Sequence, residues 1–289
     1  MDTLYHYCSN YVFQSIIENK SIWLSSLLQS NDSAEGKFVS NYILHTLKYR
    51  ERLSSDIIYK LDGVLDDIDS NASAFGFCLS EEDDLLSQWR GYAEDGQGIS
   101  IGFSKEYLEI LTANEEEKYG LMLCKIDYYT IDSIEPINPF VSKIWTYIFN
   151  GAFSFIPKDS HGSPTNPDAK KKQNALFDLL RCLTEMSYHK FRIKSKAFSE
   201  EKEWRLLAEP QSKGISPAIN EGLKSCKFRS TANKLIPYIE VKLKDFGANP
   251  IKEVIIGPKN ETPIELIQLL LRNRGFMDVN VRHSKATYR

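Results

Sequence analysis

The sequence predicts an α+β protein built on a mixed, mostly antiparallel sheet. Short strand-like segments outnumber the helical segments, and they do not alternate regularly with helices as the strands of a doubly wound sheet do. Neither a phosphate-binding loop nor the pattern G-x-G-x-x-G occurs, so a Rossmann fold is not indicated. We therefore expect helices to pack around an antiparallel sheet or to be inserted into it.

The predicted strands are short and rich in aromatic and β-branched residues. The clearest is the run from Ile99 to Phe103, in which apolar residues alternate with Ser100 and Gly102, as in a half-buried strand. The other predicted strands cover residues 3–7, 22–25, 73–80, 121–129, 204–208, 238–243, 253–256 and 279–283.

The predicted helices carry apolar residues at helical spacing or acidic residues at their starts. In the first helix, which Ser9 or Asn10 can cap, an apolar face is formed by Val12, Phe13, Ile16 and Ile17. Four acidic residues, 81–84, suit the N-terminus of a short helix that includes Trp89. The predicted helices cover residues 10–20, 31–63, 85–93, 139–156, 172–192 and 263–273.

A chain of 289 residues is long for one domain and short for three. We predict a single elaborated domain, 1–289, with a helical insertion at 131–196. Within that insertion, residues 157–171 are polar and rich in Pro and Gly, which predicts a mobile linker.

Composition excludes several classes of protein. The net charge is −3, with 36 basic and 39 acidic residues, so there is no general electrostatic attraction to nucleic acid or anionic lipid. The N-terminus lacks a basic region followed by an apolar run, and no segment approaches the roughly 20 apolar residues that a membrane span needs. We expect a cytoplasmic protein with no membrane partner.

The five cysteines are scattered, with no C-x-x-C pair, and the histidines are equally dispersed. This spacing supports neither a disulfide framework nor a zinc site, so we predict reduced thiols and no bound metal.

Alkylation tests the predicted thiol state directly. We expect all five thiols of the protein, unfolded in urea without reductant, to react with iodoacetamide, because none is held in a disulfide. Intact-mass spectrometry counts the adducts, and a fully reduced sample is the control. Fewer adducts than in that control would contradict the prediction.

Several segments together resemble an uncharacterised bacterial family that is similar to the ADP-ribosyltransferase superfamily. The resemblance spans most of the chain. Its segments are Leu4–Tyr7 (LYHY), Trp23–Ser25 with Asn31, Asp32 and Glu35, Phe77–Ser80 (FCLS), Gln88 and Trp89, Tyr92, Gly98, Ile101–Phe103 (IGF), Glu201–Leu206 (EKEWRL), Ile256–Pro258 and Ser284–Arg289.

The resemblance implies an ADP-ribosyltransferase-like sheet and NAD as co-substrate. It implies that His6 binds a ribose, that Glu203, assisted by Glu201, promotes bond cleavage, and that an aromatic residue frames the nicotinamide. The aromatic-Ser-Thr-Ser strand of those enzymes is not present here, so Trp89 and Tyr92 both stay open for the aromatic role. The further candidate cofactor-binding residues are Tyr7, Ser25, Asp32, Ser87, Arg90 and Arg205.

Side-chain chemistry suits these roles, but each has a structural alternative. A neutral His6 can donate to and accept from a ribose diol, or it can be a satisfied structural histidine. Glu203 and Glu201 alternate along the predicted strand and could point into one site to stabilise an oxocarbenium ion, or they could form a solvated edge. Arg90 and Arg205 could bind a pyrophosphate, or could pair with neighbouring acids.

Three further residue sets carry open alternatives. Trp89 is more typical of a core residue than of a ligand contact. Asp32 has the spacing of a helix N-terminus. The basic residues 170–172 and 190–196 could form a local nucleic-acid-binding face, although such a run is usually only solvated.

The resemblance implies an ADP-ribosyltransferase acting on a macromolecular acceptor, nucleic acid or protein, as a bacterial toxin or phage-defence effector with a possible regulator or antitoxin. The alternatives are a non-catalytic nucleotide-sensing or nucleic-acid-binding module, and an NAD glycohydrolase. For the transferase we expect His6, the Trp89–Tyr92 turn and Glu203 to converge on one concave pocket. His6 and Glu203 on opposite faces of the sheet would contradict the transferase assignment.

Overall fold

The computed structural model describes residues 2–29, 37–71, 74–208, 226–230 and 234–288. It has the predicted α+β architecture with a mixed, mostly antiparallel sheet. The chain divides into unit 1 (Met1–Gln29, Ser73–Ile126 and Ala197–Arg289) and unit 2 (Ser30–Ala72 and Asp127–Lys196). The segment predicted as an insertion, 131–196, lies in unit 2, which also takes residues from earlier in the chain.

The strands of the described residues are short. They are β1 (Thr3–Cys8), β2 (Ser21–Ser26), β3 (Phe75–Ser80), β4 (Ile99–Ser104), β5 (Leu121–Lys125), β6 (Asp127–Tyr129), β7 (Ile193–Ser195), β8 (Glu203–Ala208), β9 (Lys227–Ser230), β10 (Leu235–Lys242), β11 (Ile251–Ile256) and β12 (Asn280–His283).

The α-helices range from two to more than six turns. They are α1 (Asn10–Asn19), α2 (Phe38–Tyr49), α3 (Ser55–Asn71), α4 (Leu86–Tyr92), α5 (Lys105–Tyr119), α6 (Asn138–Phe149), α7 (Pro167–Lys190) and α8 (Ile264–Asn273). No helix among the described residues is both long enough and apolar enough to span a membrane.

Unit 1 contains a ten-stranded sheet with the order β12-β11-β4-β1-β3-β2-β10-β9, and β8 joins it between β3 and β5. Every pairing in this sheet is antiparallel except that of β11 with β12. Unit 2 contains the parallel pair β6 and β7.

The sheet branches at β3. One edge of β3 pairs with β8 along its whole length. The other edge is shared, because β1 pairs with it at Ser80 and β2 pairs with it at Phe75 and Gly76. The stretch from Phe77 to Leu79 lies between these two pairings, and His6 contacts the Cys78 carbonyl there. We call this stretch the β3 gap.

One face of the unit 1 sheet forms its apolar core. Residues of a strand alternate between two faces, so Phe75, Phe77 and Leu79 of β3 share this face with Leu206 of β8. Buried residues of α1, α5 and α8 belong to the same cluster. The predicted apolar stripe of the first helix is confirmed for Phe13, Ile16 and Ile17, which are buried there, whereas Val12 is only partly buried against the cluster.

The structure corrects the predicted helices and the predicted linker, and it adds one helix. The predicted helix 31–63 is two helices, α2 and α3, and its predicted start lies outside the described residues. The helix predicted from residue 172 begins at Pro167, because Asn166 caps it by accepting from Ala169 N at 2.8 Å. Part of the predicted mobile linker is therefore helical. Helix α5 was not predicted, although Ser104 Oγ accepts from Tyr107 N at 3.4 Å at its start.

Unit 2 packs α2, α3, α6 and α7 around its own apolar cluster. The ammonium of Lys190 is buried there, forms an ion pair with Asp69, and donates to Ser40 Oγ at 2.8 Å. Ser40 in turn donates to Asp69 at 2.9 Å. Lys194 is also buried. The alternative in which residues 190–196 form an exposed basic face is therefore wrong for these two lysines.

The buried Lys190–Asp69 pair yields a stability prediction. Lys190→Met leaves a buried carboxylate without its partner, so we expect the free energy of unfolding to fall by about 3–5 kcal/mol. Lys37→Met is the matched control, since Lys37 and Asp66 form a pair at 3.2 Å with both side chains more than half exposed. We expect it to lower the free energy by at most about 1 kcal/mol. Urea unfolding measures both, and equal losses would contradict the buried pairing.

Candidate functional site

Strand β8 presents a buried ion pair on the face opposite the apolar core. Glu203 and Arg205 are 5% and 2% exposed. The alternate residues of the strand, Trp204 and Leu206, face the apolar core. Arg205 Nε donates to Glu203 Oε1 at 2.7 Å, and its Nη2 donates to Oε2 at 3.0 Å. This bidentate geometry is the strong form of the interaction. Arg205, predicted to bind pyrophosphate, is instead engaged with Glu203.

A second carboxylate, that of Glu201, is buried just before β8. Tyr92 OH donates to Glu201 Oε1 at 3.3 Å, and Ser80 Oγ donates to the Glu201 backbone carbonyl at 2.6 Å. Ser80 is also the register partner of Glu203, so it links both acidic residues to the end of β3.

Glu201 and Glu203 do not alternate along one strand as predicted. Glu201 ends a 3-10 turn, and Lys202 has a φ of 42°, in the left-handed region. That residue breaks the extended backbone, so β8 begins only at Glu203.

Helix α4 is held by residues that were candidates for ligand contact. Trp89 is fully buried, its ring packs edge-on against Tyr7 at 4.9 Å between ring centroids, and its indole donates to Asp84 at 2.7 Å. Tyr7 OH donates to the Glu82 carbonyl and accepts from Leu85 N. Trp89 and Tyr7 therefore have structural roles, and Tyr92 is the aromatic residue of α4 that contacts a candidate carboxylate.

Asp84, one of the four acidic residues expected at the start of this helix, has a structural role with partners that the sequence did not indicate. Besides the indole of Trp89, Ser284 Oγ donates to it at 2.5 Å and Lys285 N at 2.6 Å. Burial opposes ionisation, but these hydrogen bonds outweigh it and lower the pKa of Asp84. The anion ties residues 284–285 to the start of α4.

His6 lies at the β3 gap. Its ring stacks on Phe77 at 3.9 Å between centroids, and its Nδ1–H donates to the Cys78 carbonyl at 2.8 Å. Burial, with a contribution from the positive charge of Arg229, lowers the pKa of His6 to about 4. The imidazole is therefore neutral at pH 7, and its Nε2 is an acceptor.

His6 and Glu203 project to opposite faces of the sheet, contrary to the expected convergence. Alternation along β1 directs His6 to the face of Leu4 and Cys8, which are core residues, whereas Glu203 lies on the other face. The two groups nevertheless flank the same residue of β3. His6 binds the carbonyl of Cys78, and Arg205, which holds Glu203, is the register partner of Cys78.

The remaining predicted site residues are dispersed. Ser25 accepts from Arg229 Nη2 at 3.3 Å. The Ser87 hydroxyl is buried and has no hydrogen-bond partner among the described residues. Arg90 is exposed, with its guanidinium 5.9 Å from the centroid of the Tyr288 ring. Asp32 lies outside the described residues.

Sequence reasoning missed Arg229, because strand β9 was not predicted. A weak signal was present, since Lys227 and Arg229 share one side of an extended segment.

Residues 88–206 match the model of a family described as "Protein of unknown function (DUF2971)". The match confirms the predicted resemblance to an uncharacterised family. Tyr92, Glu201 and Glu203 lie within the matched segment, and His6 lies outside it. Neither the curated proteins nor the solved structures that were searched gave a match.

The depressed pKa of His6 predicts a loss of stability in acid. Between pH 6.5 and about 4, the unfolded chain binds a proton at His6 that the native state does not. The contribution of neutral His6 to the free energy of unfolding is fully present above pH 6.5. It is lost as the pH falls toward 4 and amounts to at most about 3 kcal/mol. We expect His6→Gln to reduce the loss of stability between pH 7 and pH 4.5, measured by urea unfolding. Identical pH dependence in both proteins would show that His6 is readily protonated in the native state.

Proposed function

We propose that unit 1 binds NAD at the β3 gap and transfers its ADP-ribosyl group to a macromolecular acceptor, nucleic acid or protein. The observation that carries the proposal is the placement of two buried carboxylates, Glu201 and Glu203, one strand away from the edge at which a neutral His6 lies. NAD is the co-substrate in this proposal, and no metal is required.

The carboxylates suit cleavage of the bond between nicotinamide and ribose. That bond breaks with development of positive oxocarbenium character, which a nearby fixed carboxylate stabilises. Arg205 positions Glu203 through two hydrogen bonds, so the carboxylate does not need to reorganise during the reaction.

His6 suits a ribose contact made before and during the reaction. Its Nδ1–H is engaged by the Cys78 carbonyl, which leaves Nε2 to accept from a ribose hydroxyl. His6 and Glu203 project from opposite faces of the sheet, so the described structure does not bring their two contacts to one NAD molecule, and this observation counts against the transferase.

A second candidate is a non-catalytic nucleotide-sensing or nucleic-acid-binding module. The bidentate Arg205 pair favours it, because both oxygens of the Glu203 carboxylate are already engaged. An NAD glycohydrolase would use the same site with water as acceptor. The roles of a bacterial toxin or phage-defence effector, with a regulator or antitoxin, are proposals that rest on the family resemblance.

One assay separates these candidates. The protein is incubated with NAD labelled in its adenine moiety, together with cell lysate, and free nicotinamide is measured by chromatography. Label in the protein or nucleic-acid fraction together with nicotinamide release supports the transferase. Release without transfer indicates a glycohydrolase. NAD binding without release indicates a sensor and overturns the transferase proposal.

Glu203→Gln tests the catalytic role. The variant keeps the side-chain shape and removes the negative charge, so we expect turnover per folded molecule to fall by about 10²- to 10³-fold while NAD affinity changes little. The variant leaves Arg205 buried without a charged partner, which destabilises the fold by up to about 3–5 kcal/mol. Turnover is therefore measured at a temperature at which circular dichroism shows both proteins folded.

Arg205→Lys is the matched control for this destabilisation. It keeps Glu203 and a positive partner but loses the planar bidentate contact, so it perturbs the same pair without removing the carboxylate. We expect it to retain most of the turnover per folded molecule. If it loses as much as Glu203→Gln, or if Glu203→Gln reacts like the wild type, Glu203 is structural and not catalytic.

A further inference from the structure

Arg229 on β9 carries a hydrogen-bond donor that the described residues do not satisfy. Its Nη2 donates to Ser25 Oγ at 3.3 Å, but its Nε is buried and has no hydrogen-bond partner among the described residues. A buried donor without an acceptor is rare and destabilising, and more so on a charged group. The arrangement therefore suggests an acceptor supplied by a ligand.

An aromatic pair lies beside this guanidinium on the same face of the sheet. Tyr238 is the register partner of Ser25, and the Trp23 ring packs on the Tyr238 ring at 4.7 Å between centroids with an interplanar angle of 30°. Arg229 lies on this face as well. Its register partner Ile236 is two residues from Tyr238 along β10, and residues two apart in a strand point to the same face. Tyr238 is largely buried and Trp23 is partly exposed, so a partly exposed aromatic ring adjoins a cation.

The neighbouring acid does not neutralise Arg229. Glu240, next along this face of β10, accepts from both Lys227 and Lys242. Its negative charge is therefore already balanced by two lysines, and this part of the face has a local excess of positive charge.

We infer that Arg229 and Ser25 bind a phosphate group of an adenine nucleoside diphosphate whose base lies against the Trp23–Tyr238 pair. A guanidinium presents its Nε–H and one Nη–H side by side, which matches two oxygens of a phosphate, and an aromatic surface binds a base by stacking. The choice of an adenine nucleotide rests on the proposed function, since ADP is half of NAD.

Calorimetric titration with ADP, inorganic pyrophosphate and adenosine tests the inference without any turnover. We expect Arg229→Gln to weaken ADP and pyrophosphate binding by about 10- to 100-fold and to leave adenosine binding unchanged. The affinity of Arg229→Lys for ADP and pyrophosphate should lie between those of the wild type and Arg229→Gln, because lysine keeps the charge and loses the paired donors. Lys227→Gln is the matched control on the same strand. We expect it to change the affinity for ADP and pyrophosphate by at most about twofold, because that lysine is paired with Glu240.

The aromatic half of the site has its own variant. Trp23→Leu should weaken adenosine and ADP binding by similar factors of about 10 and leave pyrophosphate binding unchanged. If Arg229→Gln does not fold, photolabelling of the wild-type protein with 8-azido-ADP replaces it, and the label is expected on the peptides that contain Trp23 or Tyr238.

Several results would overturn the inference. They are equal ADP affinity of the wild type and Arg229→Gln, no ADP binding by the wild type at about 1 mM, or photolabel confined to other peptides. The proposed function fails separately: ADP binding that depends on Arg229, without nicotinamide release from NAD, supports the nucleotide site and overturns the transferase. Release that is the same in Arg229→Gln and wild type overturns the site and leaves the transferase standing.

Discussion

A strand has only two edges, and the organisation of unit 1 follows from how β3 uses them. Because β8 takes one edge completely, β1 and β2 share the other, and the stretch from Phe77 to Leu79 lies between their register pairs. At this branch point of the sheet the His6 side chain donates a hydrogen bond to the Cys78 carbonyl.

Buried charge is the second constraint, and in both units a buried carboxylate is paired with a buried basic side chain. The carboxylate of Glu203 is held by Arg205 in unit 1, and Asp69 is held by Lys190 in unit 2. Such pairs contribute little net stability relative to apolar residues, but removing one member leaves an uncompensated charge. In both units the pair is therefore needed for stability once its two charges are buried.

The candidate site separates into residues that hold the framework and residues that are available to a ligand. Tyr7 and Trp89 pack together, and Asp84 joins α4 to residues 284–285. In contrast, Arg229 retains a buried donor that no described residue satisfies, and His6 retains its Nε2 acceptor. The match to an uncharacterised family over residues 88–206 supports the family resemblance but assigns no chemistry to these groups.

The sequence by itself determined what depends on neighbours along the chain. Alternation identified β4, helical spacing identified the buried stripe of α1, and the overall class followed from the number of short strands. Tertiary structure decided which groups meet. The partners of Cys78, Ser80 and Asp84 lie about 70 to 200 positions away in the chain, so no local pattern could reveal them. Even the face on which His6 lies relative to Glu203 was undecided, because alternation within each strand does not set the pairing register between strands.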